Sequence, residues 1–150
     1  VTDPVRKYMP DAPPAWEKIT VRHLLTHTSG IPNFTGFADY RKLEPFPTTA
    51  TELVARFRDK PLDFQPGEKW SYSNSGYVLL GWLIEKVSGE SYEKFVTDNL
   101  FTPLGMKDTG YDSNTAIIPR RAEGYDVSPN GYQHSGFIHM SVPNAAGGLY

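Results

Sequence analysis

Trp70-Ser71-Tyr72-Ser73-Asn74-Ser75-Gly76-Tyr77-Val78-Leu79-Leu80-Gly81-Trp82-Leu83-Ile84-Glu85-Lys86-Val87-Ser88-Gly89 is the stretch from which the rest of this 150-residue sequence can be read. From Asn74 to Val87 apolar residues recur at helical spacing. Tyr77, Leu80, Leu83, Ile84 and Val87 fall on one face, and Val78, Leu79 and Trp82 fill most of the other. A helix that is apolar nearly all round belongs inside a packed structure. Gly89 supplies the left-handed residue that ends it. The polar run Tyr72-Ser73-Asn74 lies where the helix begins. The positive end of a helix dipole favours negative charge at that point. A tyrosine with its ordinary pKa of about 10 needs such help to act as a base near neutrality. The Asn74 amide can both donate and accept. The same residues also have a plain structural reading, in which Ser73 or Asn74 caps the helix and Tyr72 packs on the core.

Upstream, Thr49 and Glu52 form a capping box around the start of the stripe Ala50, Leu53, Val54 and Phe57. That pattern predicts a helix over about 50–59, stopped by Pro61. Thr20 can cap a short helix carrying Val21, Leu24, Leu25 and Thr28, with Gly30 in the left-handed position after it and Pro32 preventing continuation. Ser91 opens another helix, with Tyr92, Phe95, Val96 and Leu100 inward and Pro103 and Gly105 closing it. Residues 1–19 hold four prolines and read as an extended entry segment, and residues 31–48 read as irregular and aromatic-rich. Pro129-Asn130-Gly131 predicts a small β-hairpin turning at Asn130-Gly131. Ala145 to Tyr150 carries no readable pattern. The expected fold is mainly α with a small β-hairpin, one unit over residues 1–150 with no repeat and no internal boundary.

Composition narrows the function. Hydrophobic residues make up 39% and charged residues 21%, and the net charge is −2. This balance gives no basic surface for nucleic acid or an anionic membrane. No apolar run approaches the roughly 20 residues of a membrane span. Cysteine is absent, which removes disulfides, thiolate nucleophiles and cysteine-ligated metals.

His23-Leu24-Leu25-Thr26-His27-Thr28-Ser29-Gly30-Ile31, then Phe64-Gln65-Pro66-Gly67 leading into Tyr72-Ser73-Asn74-Ser75-Gly76-Tyr77, resembles the class C β-lactamase and penicillin-binding-protein-like serine hydrolases. Leu79-Leu80-Gly81, Pro103-Leu104-Gly105-Met106 and Ala146-Gly147-Gly148-Leu149 extend the resemblance in order along the chain. It implies the helical region of the β-lactamase/transpeptidase-like α+β fold. That family uses a Ser-x-x-Lys motif for the nucleophile, then a Tyr-x-Asn motif, then a Lys-Thr-Gly or His-x-Gly motif. Its members acylate the serine and transfer the acyl group to water. The resemblance makes Tyr72 a proton-shuttling base or acid and Asn74 a contact for substrate amide and lysine. It implies a lactam, peptide amide or ester as substrate and no cofactor. Cell-wall-acting members are exported, so a periplasmic or secreted location fits.

In family order Ser-x-x-Lys lies upstream of Thr2-Asp3-Pro4 and the third motif downstream of Gly147-Gly148-Leu149, so both are expected outside residues 1–150. Ser91-Tyr92-Glu93-Lys94 imitates the first motif but follows Tyr72, and Ser91 is explained as a helix cap. His134-Ser135-Gly136 imitates the third but precedes Gly147. His23 and His27 share the i, i+4 spacing of a zinc pair, without the metalloprotease glutamate or a third ligand, and no metal site is expected. Asn33-Phe34-Thr35 fits a glycosylation acceptor and is read as incidental. Apart from its sheet, such a helical region would leave apolar surface uncovered, which predicts a dimer or a domain-swapped oligomer. The alternative reading is a non-catalytic relative or binding module that keeps the scaffold without the chemistry.

Overall fold

The computed structural model describes residues 1–150. Its α-helices are α1 (Val21–Leu25), α2 (Tyr40–Leu43), α3 (Ala50–Phe57), α4 (Asn74–Ser88) and α5 (Tyr92–Val96). A two-stranded antiparallel sheet follows, β1 (Tyr125–Ser128) and β2 (Gly131–His134). The architecture is mostly helical with one hairpin, as the sequence predicts.

α3 forms because its N-terminus is satisfied twice. The Glu52 N–H donates to Thr49 Oγ1 at 3.2 Å, and the Thr49 N–H donates to Glu52 Oε2 at 2.8 Å. Ala50, Leu53, Val54 and Phe57 are all buried, on the face the spacing selects. They pack against α4, whose buried residues include Val78, Leu79, Trp82 and Leu83. Phe57 lies at the centre, its ring 6.3 Å from both Trp16 and Phe34.

Residues 1–19 depart from the expected extended entry. Val5, Met9, Ala12, Trp16 and Ile19 are all buried and belong to the main core. Their spacing of four, three, four and three residues is helical in period, yet the prolines break the segment into 3₁₀ turns at Val5–Lys7 and Pro14–Trp16. The segment closes on itself through Val5 N–H to the Ile19 carbonyl at 2.8 Å, and it is fixed to α1 by Val21 N–H to the Asp3 carbonyl at 3.1 Å and Arg22 N–H to the Val1 carbonyl at 2.8 Å. Within 31–48, short turns at Phe34–Gly36 and Tyr40–Leu43 replace the expected irregular run.

α4 spans one residue more than predicted, and Gly89 ends it at φ 75°. Its burial is one-sided. Val78, Leu79 and Trp82 lie inward, whereas Leu80 and Ile84 are half-buried and Val87 is exposed. The outer face lines an apolar groove of about 560 Å³ with Val21, Leu25 and Phe95. Gly81 is where the 3₁₀ turn Asn144–Ala146 crosses α4, since a Cβ there would lie 2.5 Å from Ala145 Cβ.

Two registers differ from expectation. After α5 a π-helical turn at Thr97–Phe101 inserts an extra residue, so Phe101 is buried and Leu100 is not. In the hairpin Ser128 pairs with Gly131, which places Pro129-Asn130 at the corner. The Pro129 ring fixes a negative φ, so a mirror-image turn is closed to it, and the positive φ of 107° falls on Gly131. The C-terminal residues are also paired: the Asp112 N–H donates to the Gly148 carbonyl at 2.8 Å.

Candidate active site

Tyr72-Ser73-Asn74 approaches α4 as extended chain, and a second loop, residues 26–35, closes against it. α1 stops at Leu25, and His27 then adopts φ 56°, in the left-handed region. The turn lays residues 27–35 alongside 71–77. The Ser71 N–H donates to the His27 carbonyl at 2.9 Å, and the Ser73 N–H to His27 Nδ1 at 3.2 Å. Ser73 Oγ donates to the Ile31 carbonyl at 3.1 Å. Ser75 is fully buried; its Oγ donates to the Pro32 carbonyl at 2.7 Å and accepts the Phe34 N–H at 2.9 Å. Gly30, at φ 76°, lets the loop pass Phe64, whose carbonyl oxygen would lie 2.0 Å from a Cβ.

These bonds place the two expected site residues together. The Tyr72 hydroxyl donates to Asn74 Oδ1 at 3.1 Å. Tyr72 is 53% exposed, so it does not pack on the core. Its ring lies against His27, with centroids 4.6 Å apart, and the His27 ring also stacks on Tyr77 at 5.1 Å. Ser73 holds the cap position of α4 but makes no capping bond with its side chain. The Asn74 N–H donates instead to Asn33 Oδ1 at 3.1 Å, across 41 positions of sequence. Asn74 Nδ2 donates to the same oxygen at 3.4 Å and to Thr35 Oγ1 at 3.3 Å.

His27, Asn33 and Thr35 are therefore neighbours of the pair that the sequence reading did not select. The His-Thr-Ser-Gly run was the available signal for His27. Asn33 and Thr35 stand out in the sequence only as an Asn-x-Thr pattern, which has no bearing on these bonds. His23 and His27 do not share a helix face, because α1 ends between them; His23 Nδ1 accepts the Thr20 N–H at 3.2 Å. No group of three or more His, Asp or Glu side chains is placed to hold a metal ion. Ser91 Oγ accepts the Lys94 N–H at 3.2 Å as a helix cap, and Lys94 bridges Glu90 and Asp98. His134 is exposed on β2, its ring tilted against Tyr125 with centroids 4.9 Å apart. The most displaced ionisation lies elsewhere: burial, with Glu93 and Glu85 nearby, pushes Tyr111 up to about 12.

With this geometry in place, comparison with known proteins decides the family. The family model described as Beta-lactamase matches residues 1–150. The chain belongs to the beta-lactamase family. It is 38% identical over 127 residues to penicillin-binding protein 4* of Bacillus subtilis, covering 82% of this chain and 27% of that protein. The D-stereospecific amidohydrolase of a Streptomyces species superposes with a TM-score of 0.82 at 31% identity, over 98% of this chain and 48% of that one. The D-amino acid amidase of Ochrobactrum anthropi SV3, solved with D-phenylalanine, gives 0.81 at 30% identity, over 97% and 44%. The chain thus spans less than half the length of each of these beta-lactamase-family relatives. No helix in it is long and apolar enough to cross a membrane.

Proposed function

We propose that residues 1–150 are the helical part of a serine hydrolase that cleaves a lactam, a peptide amide or an ester through an acyl-serine intermediate. The observation that carries this reading is the Tyr72 hydroxyl held on the Asn74 amide at the N-terminus of α4. Tyr72 acts as the proton carrier: it takes the proton from the attacking serine and returns it to the leaving group. Asn74 holds the substrate amide and the activating lysine. Solvent access to Tyr72 suits this role, since a proton carrier must reach the reacting atoms. The serine, its lysine and the third motif are supplied by sequence outside residues 1–150, in keeping with the fraction of each relative that this chain spans.

A chromogenic cephalosporin and a nitrophenyl ester test the proposal. The 150-residue chain should turn over neither. The longer polypeptide that carries it should turn over at least one, and Tyr72→Phe should lower that rate by about 10²-fold or more, the usual scale for losing a proton-transfer group. Turnover by the 150-residue chain that vanishes in Tyr72→Phe would contradict the placement of the nucleophile. A longer frame without Ser-x-x-Lys upstream would leave a non-catalytic scaffold.

A further inference from the structure

We infer that Asn33 is a positioning residue that sets which way the Asn74 amide faces, with Thr35 as its second anchor. The inference rests on the reading of Tyr72 and Asn74 given above. The backbone N–H of Asn74 is a donor only, and it points at the Asn33 side chain at 3.1 Å. Asn33 must therefore present its oxygen there, because its own NH₂ would meet the N–H donor to donor. With that oxygen fixed, the Asn74 side chain has one favourable orientation. Its Nδ2 faces Asn33 Oδ1 at 3.4 Å and Thr35 Oγ1 at 3.3 Å, and both Nδ2 hydrogens are taken. The reversed amide would set Asn74 Oδ1 against Asn33 Oδ1, acceptor against acceptor.

Asn74 Oδ1 is thereby turned to the Tyr72 hydroxyl, which it accepts at 3.1 Å. An amide oxygen has two lone pairs. One takes the hydroxyl, and the other stays open for a further donor such as an ammonium or a substrate N–H. Asn33 thus fixes the polarity of the site as well as its position. It does so from the loop that satisfies the first N–H of α4, whose cap residue Ser73 makes no capping bond and donates its hydroxyl to the Ile31 carbonyl. Cap and amide orientation are one device: the oxygen that satisfies the first N–H of the helix also orients the functional amide.

The test uses asparagine-labelled 150-residue chain and reads the Asn74 side-chain NH₂ by NMR. Asn33→Leu should shift that resonance pair and speed its exchange with water by about tenfold or more. Asn33→Asp keeps an acceptor in the same place and should restore the wild-type exchange. Thr35→Val removes one anchor while leaving the cap, and should produce a smaller acceleration. A purely structural role would not be rescued selectively at the Asn74 NH₂ with the α4 backbone shifts unchanged. Wild-type Asn74 resonances and exchange in Asn33→Leu would overturn the inference. If Asn33→Leu does not fold, unchanged Asn74 exchange in Thr35→Val overturns it equally. In the longer polypeptide, Asn33→Leu should lower kcat/KM about tenfold, and Asn33→Asp should recover it. Full turnover by Tyr72→Phe would instead sink the functional reading and leave the NMR result standing.

Discussion

Ser75 is fully buried with its hydroxyl bonded twice, and it ties α4 to the loop that carries His27 and Asn33. Ser75→Ala orphans the Phe34 N–H inside the protein, which costs about 1–3 kcal/mol. A urea titration should show that loss, and an unchanged midpoint would contradict this account of the junction. Gly30→Ala should cost more, because it adds a clash with the Phe64 carbonyl to a left-handed backbone that itself costs about 1–2 kcal/mol. At this scale the sequence is legible where a residue acts through its neighbours in the chain. Tyr72 and Asn74 stand two positions apart at a helix start, and their pairing follows from local geometry. Asn33 and His27 act on them from about 40 residues away, through a loop whose path depends on φ 56° at a histidine. No periodicity or cap pattern encodes that turn, since non-glycine residues seldom adopt it.

Among the elements, α3 is the most predictable because its two controls are local. The Thr49 and Glu52 caps are four residues of sequence, and the buried stripe is one helical face. Thr49→Ala should cost about 1 kcal/mol, and Phe57→Ala about 3–5 kcal/mol, since the ring joins α3 to Trp16 and Phe34. The cap also carries a pH dependence. The Thr49 N–H, and then its hydroxyl, hold the Glu52 carboxyl below the usual carboxylate range. The folded value lies below the unfolded one, so this stabilisation is present above about pH 4.3 and is lost as pH falls through the lowered folded value. Glu52→Gln should therefore narrow the gap between urea midpoints at pH 7 and pH 3; equal gaps in both proteins would contradict it. Elements that failed to follow the sequence did so for equally physical reasons. A π turn moved Phe101 inward in place of Leu100, and prolines cut a core-forming period of residues 1–19 into 3₁₀ turns.

Across the whole molecule, the helix read as buried on all sides is buried on one. The inner face of α4 meets α3, while Leu80, Ile84 and Val87 border an apolar groove of about 560 Å³. Exposed apolar surface of this kind drives association. Light scattering should find the isolated chain associating as concentration rises, and Val87→Glu should reduce it; a monomer at every concentration would contradict the prediction. All-round hydrophobicity announces burial without saying what does the burying, which is why the sequence marked α4 as central but not which face this chain covers. The ordered motifs carried the family further than any single element did. The decisive measurement is the rate of acyl-enzyme formation in the longer polypeptide, wild type against Tyr72→Phe, read by burst kinetics with a nitrophenyl ester. The burst should slow by about 10²-fold or more in the variant. A burst of undiminished rate in Tyr72→Phe would remove Tyr72 from the chemistry.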